Sequence, residues 1–207
     1  MIGRTAACTV MRVGFALHVT NAAAIPAHGA FVVVANHTSH LDAVVLWASL
    51  PDDARSLTRP VAAREYWESS AIPRYLSSQV FRAVLINRRQ PGHPVSPAAA
   101  TALIEEMAVA MGDRHSLIVF PEGTRGSGED LAPFKSGLYH LALRRPDVEL
   151  VPAYLENLNR ILPKGEVLPV PLMSTLTFGP PLRLEDGEEK RAFLDRTRQA
   201  VLRLRRS

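Results

Sequence analysis

The sequence predicts a single α/β domain over residues 1–207, with a mixed, mostly parallel sheet covered by helices. Short apolar runs alternate with helical patterns from one end of the chain to the other, which is typical of this class. Polar or glycine-containing loops follow several of these runs. With 207 residues, 47% of them apolar, the chain can bury a substantial core, so the disordered and fibrous classes are excluded.

Apolar runs on either side of a turn-like stretch at residues 25–29 predict the first two strands. The apolar segment that follows predicts a buried helix, and Pro51 ends it because proline cannot continue a helix. Residues 51–80 are mixed, with short helical pieces. The elements predicted in this half are strands at residues 13–20, 31–35 and 83–86 and helices at residues 41–50, 62–68 and 73–80.

The clearest helix of the second half begins at Ser96 as N-cap, with Pro97 in its first position and Gly112 at its end. Its apolar face, at helical spacing, consists of Leu103, Met107 and Met111. The remaining predicted elements are strands at residues 115–120, 148–153 and 174–178, a short helix at 136–145 and an amphipathic, basic C-terminal helix at 188–206.

Composition limits the partners and the compartment. Lysine and arginine number 24 against 20 acidic residues, and a net charge of +4 favours anionic partners such as phosphates, acidic lipid or nucleic acid. The single cysteine excludes a disulfide framework and a thiolate metal cluster. Residues 5–19 are largely apolar, but Arg12 interrupts them, which makes a spanning helix a poor interpretation. We therefore expect a cytoplasmic chain, peripheral to the membrane, with residues 1–12 as a candidate membrane-contacting segment.

The motif NHTSHLD at residues 36–42 lies where a buried strand gives way to a helix. Residues five apart on one helix project about 140° from each other, so His37 can meet Asp42 only from the preceding loop. A carboxylate that holds an imidazole in this way produces a general base. Two alternatives stay open: that Asp42 or a neighbouring hydroxyl only caps the helix, or that His37, His40 and Asp42 bind a metal.

The motif FPEGTRG at residues 120–126 is a glycine-containing loop after another buried strand. Glycines allow close approach of backbone amides to a ligand, and Arg125 supplies a planar fork of donors for phosphate or carboxylate. Alternatively, Glu122 and Arg125 pair with each other in solvent. A third motif, Asn87-Arg88-Arg89, is basic and also follows a strand, but paired arginines alone do not indicate a function.

In this order, these motifs resemble the glycerolipid acyltransferase family that includes 1-acylglycerol-3-phosphate acyltransferases. NHTSHLD matches the family block that contains its H-x-x-x-x-D catalytic motif, and residues 120–125 match its F-P-E-G-T-R block. Ile86-Asn87-Arg88 is similar to its arginine-bearing second block, and Val151-Pro152-Ala153-Tyr154 to its fourth. The resemblance covers residues 13–180 and implies a glycerol-phosphate acyltransferase-like fold.

The resemblance implies transfer of a fatty acyl group from acyl-CoA or acyl carrier protein to a lysophospholipid hydroxyl, here 1-acylglycerol-3-phosphate, giving phosphatidic acid. His37 would be the general base and Asp42 the residue that orients it. No cofactor, metal or nucleic acid is expected, and a membrane surface is an expected partner. The acceptor-binding residues that the resemblance implies are Arg88, Glu122, Gly123, Thr124, Arg125 and Pro152.

Other functions stay open beside this one. Asn87 stands where the family often has an acidic residue, so another acceptor, such as a lyso-aminolipid, is an alternative. A lipid-binding domain without catalysis and a metal-dependent hydrolase are two more. The basic helix at 188–206 would attract anionic lipid, or it would pack on the domain with its arginines solvated.

Overall fold

The computed structural model describes residues 17–39, 41–68, 74–86, 96–128, 130–158 and 174–205. The predictions for residues 1–12, His40 and Arg88 lie outside the described residues. Within the described residues the strands are β1 (Leu17–Thr20), β2 (Phe31–Ala35), β3 (Thr58–Ala63), β4 (Val84–Ile86), β5 (Ser116–Val119), β6 (Glu149–Glu156) and β7 (Ser174–Phe178). These seven strands form one sheet in the order β1-β7-β6-β2-β5-β3-β4.

The sheet is mixed and mostly parallel, as predicted. Strands β2 to β6 run in one direction, whereas β7 is antiparallel to β6 and parallel to β1. In the register of the central strands, Val34 of β2 pairs with Val119 of β5 and with Pro152 of β6. The loops that follow β2 and β5 therefore leave the sheet side by side at the same edge.

Helices cover both faces of the sheet. They are α1 (Asp42–Ser49), α2 (Asp52–Leu57), α3 (Arg64–Trp67), α4 (Pro97–Met111), α5 (Gly137–Arg144) and α6 (Lys190–Leu202), with a short 3-10 turn at Ala22–Ala24 and a π-helical turn at Leu76–Val80. One face of the sheet packs on α1, which is buried along its whole length, and the core on this side includes Val33, Val151 and Trp47. The other face packs on α4, α5 and α6.

The signals that predicted α4 are confirmed in detail. Ser96 accepts a hydrogen bond from the Ala99 N–H at 3.2 Å, Pro97 occupies the first position, and Gly112 follows the last turn with a φ of 48°. Met107 and Met111 are buried against the sheet.

In none of the described residues does a helix reach the length and apolarity needed to cross a bilayer.

The sequence prediction was wrong between residues 51 and 63. It had no element at α2 or β3 and assigned Ala62 and Ala63 to a helix, whereas both end strand β3. The run Thr58–Ala63 contains Arg59 and Pro60, which weaken a strand signal in the sequence. Pairing with β5 and β4 on its two sides overrides that local preference.

Candidate active site

The central pair of the site is His37 and Asp42. Nδ1 of His37 lies 2.9 Å from Oδ2 of Asp42, with His37 in the loop after β2 and Asp42 in the first position of α1, as predicted. Asp42 is 0% exposed, whereas the His37 side chain is 23% exposed. The carboxylate is thus fully covered while the imidazole reaches the surface.

The hydrogen bonds to Asp42 determine which nitrogen of His37 carries the proton. The backbone N–H groups of Thr38 and Ser39 donate to Oδ2 at 2.6 and 2.8 Å, so this oxygen acts as an acceptor. Nδ1 of the neutral imidazole is then the donor in the third contact, and Nε2 carries the lone pair. Asp42 therefore holds the loop before α1 and orients the imidazole. It does not cap the helix, because the N-cap position, Leu41, has no side-chain capping hydrogen bond.

Neighbouring groups fix the loop that carries His37. The imidazole stacks on the ring of Phe120 with a centroid distance of 4.3 Å. The Asn36 side chain donates to the Leu155 carbonyl and accepts from the Leu155 N–H, at 2.9 and 2.7 Å, which extends the pairing of β2 and β6 past the strand end. These contacts limit the ring to one position at the carboxyl edge of the sheet.

Glu122 is part of the framework beneath the site. It is 3% exposed, and its Oε1 accepts from the His37 N–H at 2.8 Å while Oε2 accepts from the Ala132 N–H at 3.0 Å. Both oxygens are thus bonded to backbone amides, and the alternative in which Glu122 pairs with Arg125 in solvent does not describe this structure. The acceptor-binding role that the resemblance implies for Glu122 stays a prediction. An acceptor bound there would share the Glu122 carboxylate with the two backbone N–H groups that already donate to it.

The loop after Glu122 is closed against the His37 loop. The Gly126 N–H donates to the His37 carbonyl at 2.8 Å, and the Lys135 N–H donates to the Pro121 carbonyl at 2.8 Å. His37 is therefore held through its side chain, its N–H and its carbonyl by three different partners. Sequence reasoning could not predict the last two contacts, since they depend on β2 and β5 becoming neighbours.

Three of the predicted acceptor-binding residues lie at the outer side of this loop: Gly123, Thr124 and Arg125. Gly123 and Thr124 are exposed and Arg125 is half-buried. Gly123 has a φ of 73°, a conformation that other residues rarely adopt, and a Cβ there would lie 3.6 Å from Cγ of Lys135. Lys135 thus brings a second cation to the loop, which sequence reasoning missed because it lies ten residues further on.

The remaining site predictions fall elsewhere. Pro152 is buried within β6, where it pairs with Val34 of β2 and its carbonyl accepts from the Gly179 N–H at 2.8 Å, so it lies inside the sheet. Arg88 lies outside the described residues, two positions after the end of β4. Among the side chains that the structure describes, no group of three or more His, Cys, Asp or Glu is placed to hold a metal ion.

The fold and the site define a class: an α/β domain with a carboxylate-oriented histidine at the carboxyl edge of its sheet. Comparison with known proteins agrees. A family model described as "Acyltransferase" matches residues 16–156, and the chain belongs to that family.

Two curated relatives that match the chain are both named as 1-acyl-sn-glycerol-3-phosphate acyltransferases. The chain is 31% identical over 157 residues to mouse 1-acyl-sn-glycerol-3-phosphate acyltransferase alpha, covering 74% of this chain and 50% of that protein. It is 30% identical over 195 residues to the human protein of that name, covering 91% of this chain and 63% of the relative. The chain thus spans between half and two thirds of the length of these curated relatives.

The fold also matches a solved structure. The crystal structure of the 1-acyl-sn-glycerophosphate (LPA) acyltransferase PlsC from Thermotoga maritima superposes with a TM-score of 0.69 at 19% identity. The match covers 97% of this chain and 77% of that one. At this level of identity the likeness establishes the α/β fold.

Proposed function

We propose that the protein transfers a fatty acyl group from acyl-CoA or acyl carrier protein to the free hydroxyl of 1-acylglycerol-3-phosphate, giving phosphatidic acid. The observation that carries the proposal is the contact of 2.9 Å between His37 and a fully buried Asp42. Membership of the acyltransferase family and the names of the relatives support this choice of reaction.

The chemistry follows from the protonation of His37. Nε2 takes the proton of the acceptor hydroxyl as its oxygen attacks the thioester carbonyl, and the resulting imidazolium is stabilised by the Asp42 carboxylate. Collapse of the tetrahedral intermediate breaks the carbon–sulfur bond and forms the ester. The thiolate leaving group takes the proton back from Nε2, so the base returns to its starting state and no cofactor is consumed.

Recognition of the acceptor phosphate is assigned to the exposed loop beside His37. No acidic side chain within the described residues forms an ion pair with Arg125, so its guanidinium is available for a phosphate. Lys135 adds a second positive charge next to Gly123. A phosphate held at this loop would leave the acceptor's glycerol hydroxyl close to the imidazole, and the acyl chains would extend toward a membrane surface.

The test is transfer of a labelled long-chain acyl group to lysophosphatidic acid, with the acyl group supplied on CoA or on carrier protein. We expect phosphatidic acid from the wild type, loss of nearly all turnover in His37→Ala, and full turnover in the control His28→Ala. His28 is exposed and precedes the start of β2, whereas His37 follows the end of that strand. Addition of a chelator should leave the rate unchanged; a rate abolished by it would favour the metal-dependent alternative.

The acceptor assignment is tested separately with Arg125→Ala. We expect the KM for lysophosphatidic acid to rise at least tenfold while the KM for an uncharged monoacylglycerol stays unchanged, with Arg191→Ala, which removes an exposed arginine from α6, as the charge-matched control. Equal losses with both acceptors would contradict the phosphate role. Product only with a lyso-aminolipid would keep the mechanism and change the substrate, and no product from any donor or acceptor would favour a lipid-binding domain.

A further inference from the structure

The basic C-terminal helix α6 reaches the loop next to the catalytic pair. Nε and Nη2 of Arg198, in the middle of α6, both donate to the carbonyl of Leu131. Leu131 is buried, and the next residue, Ala132, supplies the N–H that binds Glu122. The peptide group between Leu131 and Ala132 is therefore held on both sides, its carbonyl by Arg198 and its N–H by Glu122.

These contacts form a continuous chain of hydrogen bonds to the base. Arg198 fixes the Leu131 carbonyl, the Ala132 N–H binds one oxygen of Glu122, and the other oxygen binds the His37 N–H at 2.8 Å. The partners come from segments far apart in the sequence, since Arg198 and Leu131 are 67 residues apart. A chain of this kind transmits position only if each member has one defined orientation, and a guanidinium with two donors on one carbonyl has that property.

We propose that Arg198 is a positioning residue for acyl transfer, which acts on His37 through the loop at residues 130–132 and through Glu122. The proposal rests on the proposed function. The sequence alone allows two interpretations of the arginines of the basic helix, either solvated or in contact with lipid, and Arg198 fits neither of them. It is half-buried and turned to the domain, whereas the side chain of Arg191 on the same helix is 94% exposed.

A neighbouring arginine provides a matched comparison. Arg196 lies two residues away on α6 and is also bonded, to the Glu188 carboxylate at 2.6 Å and to the Arg183 carbonyl at 2.8 Å. Its partners lie before the start of α6 and not in the active-site loop. Substitution of Arg196 therefore removes the same charge from the same helix, and a comparable set of hydrogen bonds, without touching the chain to His37.

The experiment compares Arg198→Ala, Arg198→Lys and Arg196→Ala in the full-length protein with lysophosphatidic acid and acyl-CoA. We expect Arg198→Ala to lower kcat about tenfold with little change in either KM, because the substrate-binding groups stay in place. Arg198→Lys, which keeps the charge but has one donating nitrogen in place of two, should recover part of the loss, and Arg196→Ala should keep the wild-type kcat. Equal kcat values in the two alanine variants would overturn the proposal.

A double variant tests the route through Glu122. If Arg198 acts by way of that carboxylate, the loss in Arg198→Ala and Glu122→Gln combined should not exceed the loss in Glu122→Gln alone. Additive losses would overturn the route. A loss of binding to anionic phospholipid vesicles as large in Arg198→Ala as in Arg191→Ala, with kcat unchanged, would identify Arg198 as a lipid contact instead.

A physical readout keeps this proposal separate from the proposed function. Exchange of the His37 and Ala132 amide hydrogens with solvent should quicken at least tenfold in Arg198→Ala and stay as in the wild type in Arg196→Ala. If the wild type transfers no acyl group, the proposed function fails, but the exchange measurement still decides whether Arg198 holds the His37 loop. Unchanged protection of both amides in Arg198→Ala would refute that structural link.

Discussion

Replacement of Asp42 by asparagine tests the proposed catalytic pair most directly, because it keeps the shape of the side chain and removes its charge. In the proposed mechanism His37 becomes an imidazolium, and its Nδ1 lies 2.9 Å from Oδ2 of Asp42. Two unit charges at that distance attract by about 6 kcal/mol at an effective dielectric constant near 20. Since each 1.4 kcal/mol is about tenfold in rate, kcat should fall by roughly 10⁴-fold in Asp42→Asn.

Stability should fall in the same variant. If the asparagine oxygen takes the place of Oδ2, the three donors from His37, Thr38 and Ser39 stay bonded, but each bond loses about 1 kcal/mol because its acceptor is neutral. The amide NH₂ would then occupy the position of Oδ1, which is buried and has no hydrogen-bond partner among the described residues. We expect a loss of about 3 kcal/mol in the free energy of unfolding.

The assay is single-turnover acyl transfer to lysophosphatidic acid beside urea denaturation of the same preparations. Asp52→Asn is the matched control, because the Asp52 side chain is 80% exposed and pairs with Arg55 away from the site. A fall of less than tenfold in Asp42→Asn, in a protein that remains folded, would refute the argument that Asp42 stabilises the imidazolium. A fall shared by Asp52→Asn would do the same.

Two further predictions concern stability. Ser96→Ala removes the cap of α4, in which Oγ accepts from the Ala99 N–H, and should lower the free energy of unfolding by about 1 kcal/mol without changing kcat, as measured by urea denaturation and the transfer assay. Burial, together with the charges of Arg59 and Arg114, lowers the pKa of His115 below its ordinary value of 6.5, so the unfolded chain takes up this proton at a higher pH than the folded chain. The free energy of unfolding should therefore fall as the pH drops below 6.5. His115→Gln, which can still accept a hydrogen bond from Arg59, should reduce the difference in unfolding free energy between denaturation curves at pH 7.5 and pH 5.5. An unchanged difference in that variant would contradict this role of His115.

Sequence reasoning reached the parts of the site that depend on local geometry. His37 and Asp42 are five residues apart, so the strand end before one and the helix start at the other are enough to predict their contact. The position of Glu122 is different, because it is 85 residues from His37 and contacts it only when β2 and β5 are neighbours. The sequence motif marked Glu122 as a site residue, but only the sheet order shows that its oxygens hold backbone amides.

The same distinction explains where the fold prediction failed. The strong signals of α4, a capping serine, an N1 proline and a terminal glycine, are local, and the helix begins and ends where they indicate. Strand β3 has no such signal, since it carries Arg59 and Pro60 and owes its conformation to the strands on either side. Elements that are specified by their neighbours cannot be read from their own residues.

The segments beyond the family match complete both the sheet and the site. The match ends at residue 156, yet within the described residues β1 joins the sheet only through β7, which inserts between β1 and β6. Helix α6 then buries Phe193 and Val201 against the face opposite α1 and directs Arg198 to the active-site loop. Residues 174–205 therefore help to hold the region that carries the candidate catalytic motifs, and a substitution that breaks this support, such as Arg198→Ala, should change kcat without altering any group proposed to meet the substrate.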